Sequence, residues 1–414
     1  MLWSYLKITM RVLRRRKFFT FVSLFGISVT LAVLLVVAAQ LDHLVVPQAP
    51  EGRFGQVLLL SRVHMFGDKS DWQSGPGYRL LDRHCRGLEH VQALAIKHQG
   101  EQVTSFIGGQ KVDSRLCYVN ADYWRVLDFE FLAGHPFDAA DAAADRRVVV
   151  IDERTRRRFF PDGDAVGQTI DLGTRTFQVI GVVPTVSIDF EMAAANMWAP
   201  LTSIPQPDWR ETMMSGYAAA FLVDDPGHFD GVKEEFRARM TQVEYPDPER
   251  FHTTDAYLLT RIERVSQGMV GDIDGPAAVT QALLMVLGAS LLFMSLPAIN
   301  LININLSRIW DRNTEIGVRK AFGASSTDLV GQFVVENVVL SILGGAISLV
   351  LAGIALAVIP SLVPEHVVID LSLNWRIFGY ALVLSAFFGL LSGVWPAWRM
   401  ARQHPVDALR GGLR

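Results

Sequence analysis

Residues 308–325 read RIWDRNTEIGVRKAFGAS and stand between two of the most apolar runs of the chain. Glu315 and Arg319 are four residues apart, the spacing at which opposite charges meet along one helix face and stabilise it by about 0.2–0.5 kcal/mol. A short helix from Asp311 to Phe322 would carry Glu315 early and Arg319 and Lys320 late, which complements the helix macrodipole. Gly323 then serves as its C-terminal stop, and Ser325-x-x-Asp328 reads as a capping box that opens the next helix. Gly317 costs roughly 1 kcal/mol relative to alanine inside a helix, so its presence points to close backbone approach by a partner or a neighbouring helix. The chemistry on offer is contact through charge, with no bond made or broken. On these residues alone, a surface helix that transmits a push and a positively charged turn are equally good readings.

Bond-making chemistry is hard to find elsewhere. The 414 residues contain no Gly-Lys pair, and therefore no GxxxxGK[ST] phosphate loop, nor HExxH or GxSxG. His84, His90 and His98 lie near Cys85 in sequence, but their spacings match no common zinc pattern; they read as surface histidines. Arg154, Arg156, Arg157 and Arg158 could bind an anion, yet fit a solvated helix face better. The candidate for a buried carboxylate in the apolar runs is Glu336, and it sits only two turns from the end of its helix. Ion-coupled pumping needs more such groups. No catalytic residue, metal site or nucleic-acid partner is expected.

The charged stretch takes its meaning from the elements around it. Half of the residues are hydrophobic, and the mean hydropathy is +0.25. Charges are missing from Phe18 to Leu41, Gly275 to Ser307, Asn337 to Pro364 and Ile377 to Trp398. Each run exceeds the roughly 20 residues that a helix needs to cross a hydrocarbon core. The first is longer than a signal-peptide core and reads as a retained anchor. Pro297 should bend or interrupt the second. Gly344, Gly345 and Gly353 in the third are small residues that let helices pack closely in lipid.

Basic residues set the orientation. Lys7, Arg11, Arg14–Arg16 and Lys17 precede the first run; Arg308, Arg312, Arg319 and Lys320 separate the second and third; Arg399, Arg402, Arg410 and Arg414 follow the fourth. Both termini are therefore expected in the cytoplasm. The expected fold is a polytopic α-helical membrane protein with four transmembrane helices (1 + 3) and a large α+β extracytoplasmic domain. Its parts are a basic N-terminal segment (1–17), helix one (18–41), the outer domain (42–274), helix two with a stalk (275–307), the charged segment (308–328), helix three (329–360), an outer loop (361–376), helix four (377–398) and a cytoplasmic tail (399–414).

Within the outer domain, Val103–Ile107 and the alternation after Gly108-Gly109 read as two strands about a turn. Val148–Ile151 reads as a strand, Asp152–Phe160 as a helix, and Thr169–Leu172 and Thr176–Val183 as two further strands. Apolar Phe229, Val232, Phe236 and Met240 recur at helical spacing. Cys85 and Cys117 both fall here, and a disulfide between them and two separate core thiols are both open.

Residues 305–353, with Arg312, Glu315, Ile316, Gly317, Arg319, Ala321, Gly323, Ala324, Gln332, Phe333, Glu336, Gly344 and Gly345, resemble the signature of the FtsX-like permease domain of MacB-type ABC transporters. The tail WPAWRMARQHPVDALR (395–410) is similar to that family's closing pattern, and residues 118–137 and 148–183 resemble the MacB-type periplasmic core domain. The resemblance implies a permease subunit of the inner membrane whose segment around Arg312, Glu315, Ile316, Gly317, Arg319, Lys320, Gly323 and Ala324 docks on an ATPase. MacB carries its ATPase on the same chain. Here a separate ATPase dimer is implied, holding the ATP and Mg, with a second permease subunit, the same chain or a homologue. Export with a periplasmic adaptor and an outer-membrane channel is the leading expectation. Mechanical transmission for lipoprotein release or activation of an envelope hydrolase is the alternative.

Overall fold

The computed structural model describes Met10 and residues 17–46, 48–107, 110–161, 163–172, 175–245, 247–271, 275–311 and 326–362, with 376, 378–379, 383, 387 and 390. The chain divides into two compact units, one gathering Met1–Asp42 with Leu283–Val363 and Leu371–Arg414, the other His43–Ala282 with Pro364–Asp370.

In the second unit, nine strands form a mixed sheet: β1 (Val57–Leu60), β4 (Val91–Ile107), β5 (Gln110–Val119), β6 (Ala133–Gly134), β7 (Val148–Asp152), β8 (Thr169–Leu172), β9 (Arg175–Val183), β10 (Met197–Pro200) and β12 (Tyr217–Val223). The order is β1-β12-β4-β5-β10-β7-β9-β6, with β8 also paired to β9. The β5–β10 and β7–β9 pairs are parallel and the others antiparallel. A smaller sheet orders β11 (Met214–Ser215), β3 (Asp71–Pro76), β2 (Val63–Phe66) and β13 (Thr253–Ala256). The expected α+β character is therefore present, in a sheet of mixed direction.

Both faces of the large sheet are covered, and strand alternation divides its side chains between two cores. Along β12, Tyr217, Ala219, Phe221 and Val223 enter one core, and Ala218, Ala220 and Leu222 the other. Cys85 belongs to the first and Cys117 to the second. They are unpaired thiols, separated by the sheet itself. The β4–β5 hairpin is the longest feature. It bends at a register shift between His98 and Glu101, where Gly100 has φ +79° and a Cβ would sit 1.9 Å from the Leu116 carbonyl oxygen. Only glycine serves there.

Among the described residues, the longer helices are α1 (Lys17–Val45), α2 (Glu153–Phe159), α3 (Phe229–Met240), α4 (Arg261–Val270), α5 (Gly275–Asp311) and α6 (Ser326–Leu362). Three segments among the described residues, Thr20–Val45, Gly275–Phe293 and Val334–Ile359, are long and apolar enough to cross a membrane. Of the expected fourth span, the described residues Phe378, Gly379, Val383, Phe387 and Leu390 are helical, and the others lie outside the described residues. Pro297 does not interrupt α5, which is continuous to Asp311. Proline is tolerated in membrane helices because neighbouring groups can satisfy the freed carbonyl. α5 includes residues 308–311 and α6 begins at Ser326; the rest of the expected charged segment, 312–325, lies outside the described residues.

In the first unit, α1 and α6 pack side by side. Ala32, Leu35 and Ala39 cluster with Ala352 and Leu356. Nearer the helix starts, a Cβ on Gly344 would lie 2.6 Å from Ile27 Cγ2 and 3.0 Å from its Cβ. Contacts advance in the same direction along both helices, so α1 and α6 run parallel and their N-terminal ends share one side. The face of α6 that carries Asn337, Ser341, Gly344, Ser348 and Ala352 is buried, a stripe of mostly small residues at helical spacing. Gly345 is also buried and Gly353 half-buried. Gly344→Leu should weaken this packing by about 1–3 kcal/mol through overpacking. The measurement is thermal unfolding of the detergent-solubilised chain, and a compensating Ile27→Ala should restore part of the loss.

Candidate functional site

The sequence-predicted contact residues Arg312, Glu315, Ile316, Gly317, Arg319, Lys320, Gly323 and Ala324 lie outside the described residues. The described candidate is a different group of charged side chains, placed where the chain passes into and out of the 43–282 unit.

Glu51 opens a short helical turn (Gly52–Gln56) just ahead of β1 and is 1% exposed. Its Oε1 accepts the N–H groups of Met192 and Ala193 at 3.0 and 3.1 Å, and its Oε2 accepts Arg261 Nη1 at 2.5 Å. Arg261, 6% exposed, also donates from Nε to the Leu44 carbonyl at 2.5 Å. Its guanidinium lies over the rings of Phe54 and Phe190, 5.5 and 5.4 Å from their centroids. One side chain thus ties the end of α1 to the start of α4.

The loop around residues 190–194 is the third part of this junction. Lys97, from β4, donates to the carbonyls of Glu191 and Ala194 at 3.0 and 2.9 Å. Tyr123 donates to Met192 O at 2.9 Å and accepts from Trp198 Nε1 at 3.1 Å. The loop's amides therefore hold a carboxylate while its carbonyls hold an ammonium and a phenol. Arg264 adds an ion pair to Glu191 at 3.2 Å, and the ring of His43 meets Phe190 edge-on at 5.3 Å.

Helix α4 is fixed by its own cap. Thr260 Oγ1 accepts the Glu263 N–H at 3.3 Å and the Glu263 carboxylate accepts the Thr260 N–H at 2.7 Å, a capping box. Lys233 of α3 donates to both Glu263 oxygens at 2.9 and 2.8 Å. Just before the cap, Leu259 exchanges backbone hydrogen bonds with Leu59 of β1 at 2.7 and 2.9 Å. Gly275, the first residue of α5, sits so close to Glu263 that a Cβ would meet the carboxylate at 2.9 Å.

Burial and neighbours pull Glu51 in opposite directions. Arg261, the two amides and Lys97 favour the ionised carboxylate, but desolvation outweighs them and pushes its pKa up to about 7. No nucleophile or acid–base relay is built around it. What the arrangement can do is hold two chain segments and a loop as one body.

Of the other sequence candidates, His84, His90 and His98 do not converge. His98 packs edge-on against Tyr217 at 4.6 Å, while His90 pairs with Asp224. In α2, Arg157 pairs with Glu153 one turn back, and the helix is capped by Asp152 through the Thr155 N–H at 2.8 Å. Sequence reasoning missed Glu51, Lys97 and Arg261. Two signals were present: the Thr260-x-x-Glu263 box, and a lysine directly after the apolar run Ala93–Ile96.

A chain in which one long apolar helix leads into a large mixed-sheet domain and further apolar helices follow it is a polytopic membrane protein with an extramembrane domain. Residues 20–239 match the MacB-like periplasmic core domain, and residues 282–405 the FtsX-like permease C-terminal region. The chain belongs to the MacB-like family of permeases. It is 28% identical over 323 residues to the macrolide export ATP-binding/permease protein MacB of Chromobacterium violaceum, covering 78% of this chain and 46% of that one. To the protein of the same description from Agrobacterium fabrum it is 29% identical over 301 residues, covering 72% and 43%. The chain spans about half the length of the curated relatives it matches. Among solved structures, the periplasmic region of MacB from Actinobacillus actinomycetemcomitans is 16% identical with a TM-score of 0.38, covering 53% of this chain and 94% of that one. The extracellular domain of the transporter YknZ is 13% identical with a TM-score of 0.35, covering 48% and 98%.

Two outcomes follow from the junction. Arg261→Ala should destabilise the domain by about 1–3 kcal/mol, because it leaves the Leu44 carbonyl and the buried Glu51 carboxyl without their hydrogen-bond partner. Replacing both, as Glu51→Gln with Arg261→Met, should cost less than Arg261→Ala alone, measured by unfolding followed through tryptophan fluorescence. The second outcome concerns pH. Folded Glu51 holds its proton more tightly than an unfolded glutamate. Its contribution to stability is therefore full below about pH 4.5 and is lost as the pH rises through about 7. The stability of the native chain relative to Glu51→Gln should fall across that window, read as the difference between their melting temperatures.

Proposed function

We propose that this chain is the membrane-spanning permease subunit of an ABC transporter in the inner membrane, working with a dimer of ATPase subunits on another chain and with a second permease subunit. ATP and Mg are held by the ATPase. Its cycle displaces the helices of the permease, and the extracytoplasmic domain moves in response to drive export of a substrate. The observation that carries this reading is the pair of family matches, a MacB-like periplasmic core domain followed in order by an FtsX-like permease region.

The physical arrangement suits such a role. Arg261 binds the segment that follows α1 to the helix that precedes α5. A displacement of either connection is thus shared by the other before it reaches the sheet. In the other unit, the parallel α1 and α6 meet without clearance at Gly344, so a push on the start of α6 is passed to α1. The segment immediately before α6 holds Arg312, Glu315, Ile316, Gly317, Arg319, Lys320, Gly323 and Ala324, and we assign the ATPase contact to it. Both termini and this segment face the cytoplasm in this reading.

The test is a double replacement, Glu315→Ala with Arg319→Ala. It should leave membrane insertion and the melting temperature of the extramembrane domain unchanged, because an i,i+4 pair of this kind is worth only about 0.2–0.5 kcal/mol to its helix. Co-purification with the ATPase should weaken and ATP-driven export should be lost. A variant that keeps both sinks the assignment.

A further inference from the structure

His90 meets Asp224 and His228, which lie four residues apart in the connection between β12 and α3, on the surface of the 43–282 unit. His90 closes the turn ahead of β4, Asp224 follows β12 directly, and His228 precedes the first turn of α3. His90 Nδ1 lies 3.1 Å from Asp224 Oδ2, and His228 Nδ1 lies 2.8 Å from Asp224 Oδ1. The two imidazoles are stacked with centroids 3.8 Å apart and an interplanar angle of 22°. One ligand atom from each residue falls within a group spanning at most 4.8 Å. Both rings therefore turn the same nitrogen toward one carboxylate, although nothing about an imidazole requires that choice.

The supporting backbone is fixed. His90 has φ 63°, a left-handed conformation uncommon outside glycine and found where surrounding structure imposes it. The Asp224 N–H donates to the His90 carbonyl at 3.0 Å. The Asp225 N–H donates to Asp224 Oδ1 at 2.7 Å and orients the carboxylate. The turn ahead of His90 is gripped by α3: Arg239 donates to the carbonyls of Arg86 and Gly87 at 2.7 and 2.6 Å, and Glu235 accepts the Glu89 N–H at 2.9 Å. Ligands on a preformed frame with oriented second partners are what a metal site requires.

We propose that His90, Asp224 and His228 bind one divalent transition-metal ion of the zinc class, which clamps the turn ahead of β4 to the start of α3. Two imidazole nitrogens and one carboxylate oxygen suit zinc, cobalt, nickel or copper, whereas magnesium and calcium call for oxygen ligands. Bonds of about 2.0–2.1 Å in a tetrahedral arrangement place ligand atoms roughly 3.3 Å apart. The present contacts reach different oxygens, His228 Nδ1 to Oδ1 at 2.8 Å and His90 Nδ1 to Oδ2 at 3.1 Å, and the rings are stacked. Binding one ion therefore turns the exposed rings out of their stack until the ion lies in both ring planes. Metal binding displaces any proton carried on the Nδ1 atoms, and water completes the coordination on the open side. The site is legible only in three dimensions, because its first two ligands are 134 residues apart.

The experiment uses the full chain in detergent, purified with an affinity tag that contains no histidine. Zinc titrated calorimetrically should bind with a stoichiometry of one and raise the melting temperature. Cobalt should give the visible absorption of a low-coordinate nitrogen–oxygen site. Removing a direct ligand, in His228→Ala or His90→Gln, should weaken zinc binding by more than the ~10–100-fold that loss of a second-shell partner costs, while the metal-free melting temperature stays that of the parent. His84→Ala should bind as the parent does. Absence of saturable binding at one site, or undiminished binding by both ligand variants, overturns the proposal. Zinc binding in which His84→Ala is the weakened variant overturns it as well.

Discussion

A buried arginine that bonds a buried glutamate is costly to form, since both charges leave water. The Arg261–Glu51 pair is held in place by the groups that surround it: two amides on the carboxylate, a backbone carbonyl on the guanidinium, and two aromatic rings against its faces. These groups come from three segments, the end of α1, the turn after Glu51 and the 190–194 loop, and each would be unpaired or solvated if the others moved away. The domain's closure depends on this mutual need. The chain passes into the domain near Leu44 and leaves it after α4, and a single guanidinium holds the two passages together. A hydrophobic pair of similar volume would fill the space, but it could not satisfy the Leu44 carbonyl or the Met192 and Ala193 amides. Polarity here fixes which segments meet, while the two apolar cores supply most of the driving force.

The helices that pack within the other unit use a different logic. Between apolar surfaces in lipid there is little hydrophobic gain from contact, and close approach of backbones takes its place. Gly344 against Ile27 is that approach at its limit. The two units thus rely on opposite devices: desolvated charge in one, and the absence of a side chain in the other. Both devices resist gradual deformation, because neither an ion pair without water nor a glycine contact without clearance has a softer intermediate.

How much was legible beforehand divides along physical lines. Long charge-free runs announced α1, α5 and α6, and the alternation after Gly109 announced the β5 strand. The strand Tyr217–Val223 carries no alternation, because both its faces are buried and three consecutive alanines read as helix former. Met197–Pro200 was equally silent, being four residues buried on both sides. Pro297 was expected to bend or interrupt its helix, and α5 runs through it. Of the packing residues, Gly344 could be named from composition alone. Glu51 and Arg261 could not, because they are 210 residues apart and each looks like an ordinary surface charge until the fold joins them. The coupling residues from Arg312 to Ala324 rest on pattern resemblance, since they lie outside the described residues.

The long β4–β5 hairpin has a mechanical consequence. Lys97 anchors β4 at the junction loop, and the strand continues to Ile107. Ten residues at about 3.3 Å each make an arm of roughly 33 Å, so each degree of rotation about Lys97 carries the far end through about 0.6 Å. The bend at Gly100 lies within that arm and sets the direction of its sweep. Near the far end Ser105 donates to the Asp171 carbonyl of β8 at 3.0 Å, so a displacement carried along the arm is delivered to the β8–β9 hairpin rather than spent in solvent.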